Sequence, residues 1–307
     1  MTAAPPLPSN APQPWLLDHP VGALACHVAG PEDAPPLLLV HSVNAAAGVH
    51  EVAPLLAHYA ATRRVYALEL PGYGASARPD VAYTPALMTS ALSTATDAIA
   101  SRHAHAPIDA LALSLSCEFL ARAAQAAPAR YRSLALVSPT GFSGTQPAEG
   151  PAGSTRALPR LHAWLAHRPW SRPLFDLLTS RRSVRYFLRR TFGRQEVDET
   201  LIDAAWRAAR HPQAHHAPLC FLSGFMFSRD MAGIYRALSM PVWMVHGVRG
   251  DFTDYRQKTR LGLGAQWHFA VMQTGAIPWF EELAGFLDAY SRFLAAPGAP
   301  DGPASFR

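Results

Sequence analysis

Apolar positions follow two rhythms along the chain. Residues 37–40 (Leu-Leu-Leu-Val) are an unbroken apolar run, as expected of a strand buried on both faces. Similar short runs at 23–28, 65–70, 108–113, 134–137, 242–245 and 267–272 read as further strands. Between them, helical spacing covers 49–59, 84–103 and 117–127, and a closing helix ends near 294. Strand alternating with helix predicts a parallel sheet carrying helices on both faces. The alternation stops after 137. Residues 142–150 are rich in Gly, Pro and Ser and read as a linker. From 158 to about 238 the pattern is helical throughout, with Trp164, Trp170, Phe175, Tyr186, Phe187 and Trp206 spaced as apolar faces. This divides the chain into a Pro-rich extended arm (1–20), an α/β core (21–141 and 239–294), an inserted helical sub-domain (142–238) and a frayed tail (295–307).

Composition narrows the class. The chain has 307 residues, 49% hydrophobic and 16% charged, which is enough apolar content to bury a large core. The net charge of +5 comes from arginine, since Lys258 is the sole lysine, and the excess lies between Arg156 and Arg210. No aromatic-interleaved basic groove or nucleic-acid module accompanies it, so no nucleic-acid partner is expected. Cys26, Cys117 and Cys220 form no CxxC pair and no ligand spacing; they read as buried thiols in a reducing compartment. No cofactor and no metal site are expected. With no basic-then-apolar leader and no run of ~18 apolar residues, a cytoplasmic protein without a membrane partner is expected. The oligomeric state is left open.

The centre of the pattern is Ala112-Leu113-Ser114-Leu115-Ser116, which joins the 108–113 strand to an alanine-rich helix. A serine at a sharp strand-to-helix turn has the geometry of a nucleophile elbow, normally written Gly-x-Ser-x-Gly. Here both flanking positions are small and neither is glycine. Ser114 is therefore either a nucleophile or a small residue required by a tight turn.

Four further stretches, in order, carry a resemblance: His41-Ser42-Val43-Asn44; Glu69-Leu70-Pro71-Gly72-Tyr73-Gly74-Ala75-Ser76; Gly247-Val248-Arg249-Gly250-Asp251; and Gly275-Ala276-Ile277-Pro278-Trp279-Phe280-Glu281. With the elbow they make residues 20–294 resemble the α/β-hydrolase fold family, of the serine-nucleophile type with a helical cap. The resemblance implies an α/β fold: a doubly wound, mainly parallel sheet with the cap inserted at 142–238. It implies Ser114 as nucleophile, Asp251 as the acid, and the backbone N–H groups of Val43 and Leu115 as the oxyanion hole. It also implies a small-molecule pocket including His41, Ser42, Ala276 and Trp279. The chain departs from the family at the elbow flanks, where neither residue is glycine, and at the acid turn, which is one residue longer. The departure with most consequence is Ala276, which stands where the family keeps its histidine base.

Alanine cannot take a proton from serine, and a serine hydroxyl is a poor nucleophile without an adjacent base. His41, His246, His268, His215 and His216 are the candidates for a relocated base. Asp251 has a second reading as a turn aspartate capping a helix near Tyr255, with Asp254 its rival in either role. Cys117 and Glu118, close behind the elbow, are side candidates for site chemistry. Two functions follow: a serine-dependent hydrolase of small ester- or thioester-type acyl bonds with a triad lacking its histidine, or a hydrolase-fold ligand-binding or accessory protein that has lost turnover.

Overall fold

The computed structural model describes residues 13–296; the first twelve residues of the expected arm and the tail from 297 lie outside them. Eight strands form one sheet: β1 (Trp15–Leu17), β2 (Leu24–Ala29), β3 (Pro36–Val40), β4 (Arg64–Leu68), β5 (Ile108–Leu113), β6 (Tyr131–Val137), β7 (Val242–Gly247) and β8 (Trp267–Met272). Their order is β1-β2-β4-β3-β5-β6-β7-β8. The β1–β2 and β2–β4 pairings are antiparallel, and every pairing from β4 to β8 is parallel. The end of the arm thus belongs to the sheet: Leu17 is buried and opposes Leu24.

Helices α1 (Ala53–Tyr59), α2 (Pro85–Arg102) and α3 (Ser116–Ala126) make the first three crossovers. Thr84 starts α2, its hydroxyl accepting the Leu87 N–H, with Pro85 preset for the first turn. Six helices lie between β6 and β7: α4 (Pro159–Leu165), α5 (Arg168–Leu178), α6 (Arg181–Phe192), α7 (Glu199–Ala208), α8 (His216–Leu222) and α9 (Met231–Arg236). The last helix is α10 (Leu283–Ala295).

The strand period of two divides the core between the faces. Leu38, Val40, Ala110, Ala112 and Met244 pack with Met88 and Leu92 of α2 and Phe119 of α3. Leu39, Leu111, Val137 and Val245 pack with Leu55 of α1 and with Phe286 and Tyr290 of α10. Each of the Leu, Val, Met and Phe side chains among these contributes about 1.5–3 kcal/mol by leaving water.

Strand order reverses at β3, with β4 on one side of it and β5 on the other. Ligand crevices in open α/β sheets form at the carboxyl ends of strands at such a switch. Val40 of β3 is paired with Ala112 of β5, so the segments leaving these strands, 41–44 and 114–116, emerge side by side.

Candidate active site

Ser114 has φ of 58°, a left-handed conformation that costs a non-glycine residue about 1–2 kcal/mol. Its N–H donates to the Val137 carbonyl at 2.8 Å, and its carbonyl accepts from Cys117 N–H at 3.1 Å. The turn is therefore held from β6 and from the first turn of α3. The departures from glycine at its flanks are accommodated. Ala112 is fully buried in β5. Ser116 donates its hydroxyl to the His41 carbonyl at 2.6 Å, tying the elbow to the loop after β3, a bond that glycine cannot make.

Ser114, Val43, Leu115, Ser42 and Ala276 line one cavity of about 140 Å³. The N–H groups of Val43 and Leu115 make no hydrogen bond to another described residue. Leu113, Leu188, Phe221, Phe227, Phe252 and Ile277 supply an apolar lining, drawn from β5, the helical insertion and the turns after β7 and β8. The Ser114 hydroxyl itself bonds to no described side chain.

Ala276 sits on the cavity wall, 6% exposed. Its N–H donates to the Thr191 carbonyl at 3.1 Å, and its carbonyl accepts the Ser138 hydroxyl at 2.7 Å. The preceding Gly275 is packed against α6 so closely that a Cβ would lie 2.4 Å from the Phe192 Cα.

Other expected site residues lie elsewhere. Asp251 is exposed and does not line the cavity; Arg190 of α6 donates to its carboxylate at 2.5 Å. It does not cap the short helical turn after Tyr255 either. There Asp254 accepts the Arg256 N–H at 3.3 Å and, on its other oxygen, the Gly144 N–H at 2.9 Å, bonds that hold its carboxyl below the usual range. His41 is wholly buried outside the cavity lining, because both ring nitrogens serve the backbone: Nδ1 donates to the Ser42 carbonyl at 2.6 Å and Nε2 accepts the Leu70 N–H at 3.1 Å. Burial lowers its pKa. Trp279 also misses the cavity: it packs on Phe286 in the α10 core, and its indole N–H donates to the Glu51 carbonyl at 2.7 Å.

Among the described residues, no histidine lines the cavity. His246 stacks on Tyr255, with Nδ1 on the Gly247 carbonyl (2.9 Å) and Nε2 on Lys258 Nζ (3.0 Å). His268 packs beside Phe293 on β8. His215 and His216 stack on each other, and His216 pairs with Asp80 at 3.3 Å. Cys117 is fully buried, its thiol donating to the Ala112 carbonyl, and desolvation pushes it well above its usual pKa. Glu118 is buried behind the cavity, accepting from the Thr140 hydroxyl and the Ser228 N–H.

One site group was not anticipated. Glu51, in a single 3-10 turn (Val49–Glu51) after β3, is the only ionisable side chain among the described residues that line the cavity. Its Oε2 accepts the Ser42 N–H at 2.7 Å; its Oε1 accepts the Ser42 hydroxyl and the Asn44 amide, each at 2.9 Å. Burial raises its pKa, and these donors partly offset the rise. A glutamate in an otherwise apolar stretch (Val49, Val52, Ala53, Leu55) was the signal available in the sequence.

No protein-family model and no curated protein sequence matches the chain. Solved structures do. An enol-lactonase from Burkholderia xenovorans superposes with a TM-score of 0.68 at 15% identity, over 92% of this chain and 100% of the other. A carboxylesterase from Bacillus subtilis gives 0.66 at 17%, over 94% and 92%. A 2-hydroxy-6-oxo-6-phenylhexa-2,4-dienoate hydrolase from a Rhodococcus strain gives 0.67 at 16%, over 92% and 99%. At these identities the likeness establishes the fold, which is that of the α/β hydrolases.

Proposed function

We propose that this α/β-hydrolase-fold chain is a serine-dependent hydrolase of small, uncharged acyl compounds of the ester or thioester type. One observation carries the reading: Ser114, held at a left-handed elbow, shares a cavity with two unpaired N–H donors, those of Val43 and Leu115. Donors already in place for a developing oxyanion stabilise the tetrahedral intermediate by about 3–4 kcal/mol each. The substrate carbonyl points its oxygen at these donors while its carbon faces Ser114. The acyl chain lies against Leu188, Phe221 and Phe227, whose apolar surface favours an uncharged group. The test is turnover of a panel of short-chain esters and thioesters by the wild type and by Ser114→Ala. Loss of turnover in the variant supports the reading; equal turnover overturns it.

A second reading has its own observation. Among the described residues the cavity wall carries Ala276 and no imidazole, and Asp251 is engaged with Arg190. A protein so built binds a carbonyl compound without turning it over, as a sensor or accessory subunit. Calorimetry that detects binding of panel compounds with no product formed favours this reading.

A further inference from the structure

The hydroxyl proton of Ser114 needs an acceptor, and among the described residues Glu51 is the only ionisable side chain on the cavity wall. Ser114 and Glu51 line the same cavity of about 140 Å³. The Glu51 carboxylate is already oriented by three donors from the loop that carries Val43. Oε1 receives two of them and Oε2 one, which leaves Oε2 a free lone pair. We propose that Glu51 is the base that accepts the Ser114 proton, in the place of the absent histidine. The inference rests on the serine-hydrolase reading.

The step balances in atoms and charge. Ser114 Oγ forms a bond to the acyl carbon, and the carbonyl electron pair moves onto the oxygen held by the Val43 and Leu115 N–H groups. The Oγ proton passes to the Glu51 carboxylate. The cavity holds one negative charge before and after, moved from carboxylate to oxyanion. On collapse, the bond to the leaving oxygen or sulfur breaks and Glu51 returns the proton to it. Water then attacks the acyl-enzyme by the same route, giving its proton to Glu51, which passes it to Ser114 as the acid is released. A carboxyl pKa raised by burial makes the group a stronger base than an exposed glutamate.

The surrounding charged groups do not compete. His50, Glu69 and Arg207 line a separate cavity on the other side of the 3-10 turn. Both His41 nitrogens are bonded to backbone. Glu118 is bonded to Thr140 and Ser228. Desolvation, with smaller contributions from Tyr83, Cys220 and Glu51, keeps the buried Tyr73 hydroxyl protonated.

The experiment is labelling of Ser114 in the full chain by a fluorophosphonate, in which the Oγ–P bond forms, fluoride leaves and the proton goes to the base. Wild type, Ser114→Ala, Glu51→Gln and Glu51→Asp are compared, with circular dichroism to verify folding. Glu51→Gln is expected to label roughly 100- to 10,000-fold more slowly than wild type, and Glu51→Asp to retain part of the rate. The wild-type rate should fall on acidification, with a midpoint above the ordinary glutamate pKa, and Glu51→Gln should lack that acid limb. Labelling of Glu51→Gln at the wild-type rate overturns the assignment and leaves the hydrolase reading standing. So does a slowed variant that keeps the acid limb, since Glu51 then only braces Ser42 and Asn44. If Glu51→Gln does not fold, a wild-type rate flat from about pH 4 to about pH 8 overturns the assignment, and an acid limb supports it. A wild type that neither labels nor turns over any ester overturns both readings together.

Discussion

Ser138 and Ala276 are joined across the cavity wall, the Ser138 hydroxyl donating to the Ala276 carbonyl at 2.7 Å. Position 276, where the family resemblance puts a histidine, is therefore fixed by its backbone, independently of its side chain. Asp251, the acid that the resemblance implies, is held by Arg190 outside the cavity lining.

The first prediction concerns this divided triad. Ala276→His should raise p-nitrophenyl ester hydrolysis only modestly, since a triad without its carboxylate loses on the order of 10⁴ in kcat. Adding Arg190→Ala releases Asp251 and should raise kcat by a further ~10-fold or more. Equal kcat in the single and double variants would show that Arg190 does not withhold the acid.

A second prediction is structural. Asp109 of β5 is 1% exposed and accepts from Arg63 at 2.5 Å, from Arg132 and from the Ser133 hydroxyl. Asp109→Ala leaves two guanidinium groups facing each other without their counter-charge. It should cost about 3–5 kcal/mol, read as a lower urea midpoint at unchanged slope.

The third prediction is a pH dependence of stability. Burial raises the Glu118 pKa, which its bonds to Thr140 and Ser228 only partly offset. Above the unfolded glutamate pKa of ~4.3 the folded state binds more protons than the unfolded chain, so stability falls as pH rises through the window up to the raised value. Glu51 contributes with the same sign. Urea titrations of wild type and Glu118→Gln across this window should show the wild type losing stability faster with rising pH. A constant difference between the two would mean that Glu118 does not titrate in the window.

Much of the fold was legible because local rules decide it. The unbroken apolar run at 37–40 could only be a strand buried on both faces, and it is the fully buried β3. The 84–103 helix is α2 to within a residue at each end, because Thr84 and Pro85 mark its start chemically. β1 was not legible: three residues are too few to show a period, and Leu17 is buried only because Leu24 opposes it.

The sequence by itself determined the alternation of strands and helices, the small residues around Ser114, and the presence of alanine at 276 in a stretch that resembles the family's base-bearing turn. These follow from local pattern. Only the tertiary structure decided the surroundings. The pairing of β3 with β5 brings Val43 and Leu115 to the wall of one cavity. Arg190, 61 residues before Asp251, takes the carboxylate that a triad would need. The rings of His41 and His246 are tied to nearby backbone and to Lys258, while Glu51 is turned onto the cavity wall. The physical reason is that a side chain's chemistry is fixed by its type, whereas its partner is fixed by which distant segments the packed sheet brings within hydrogen-bond reach.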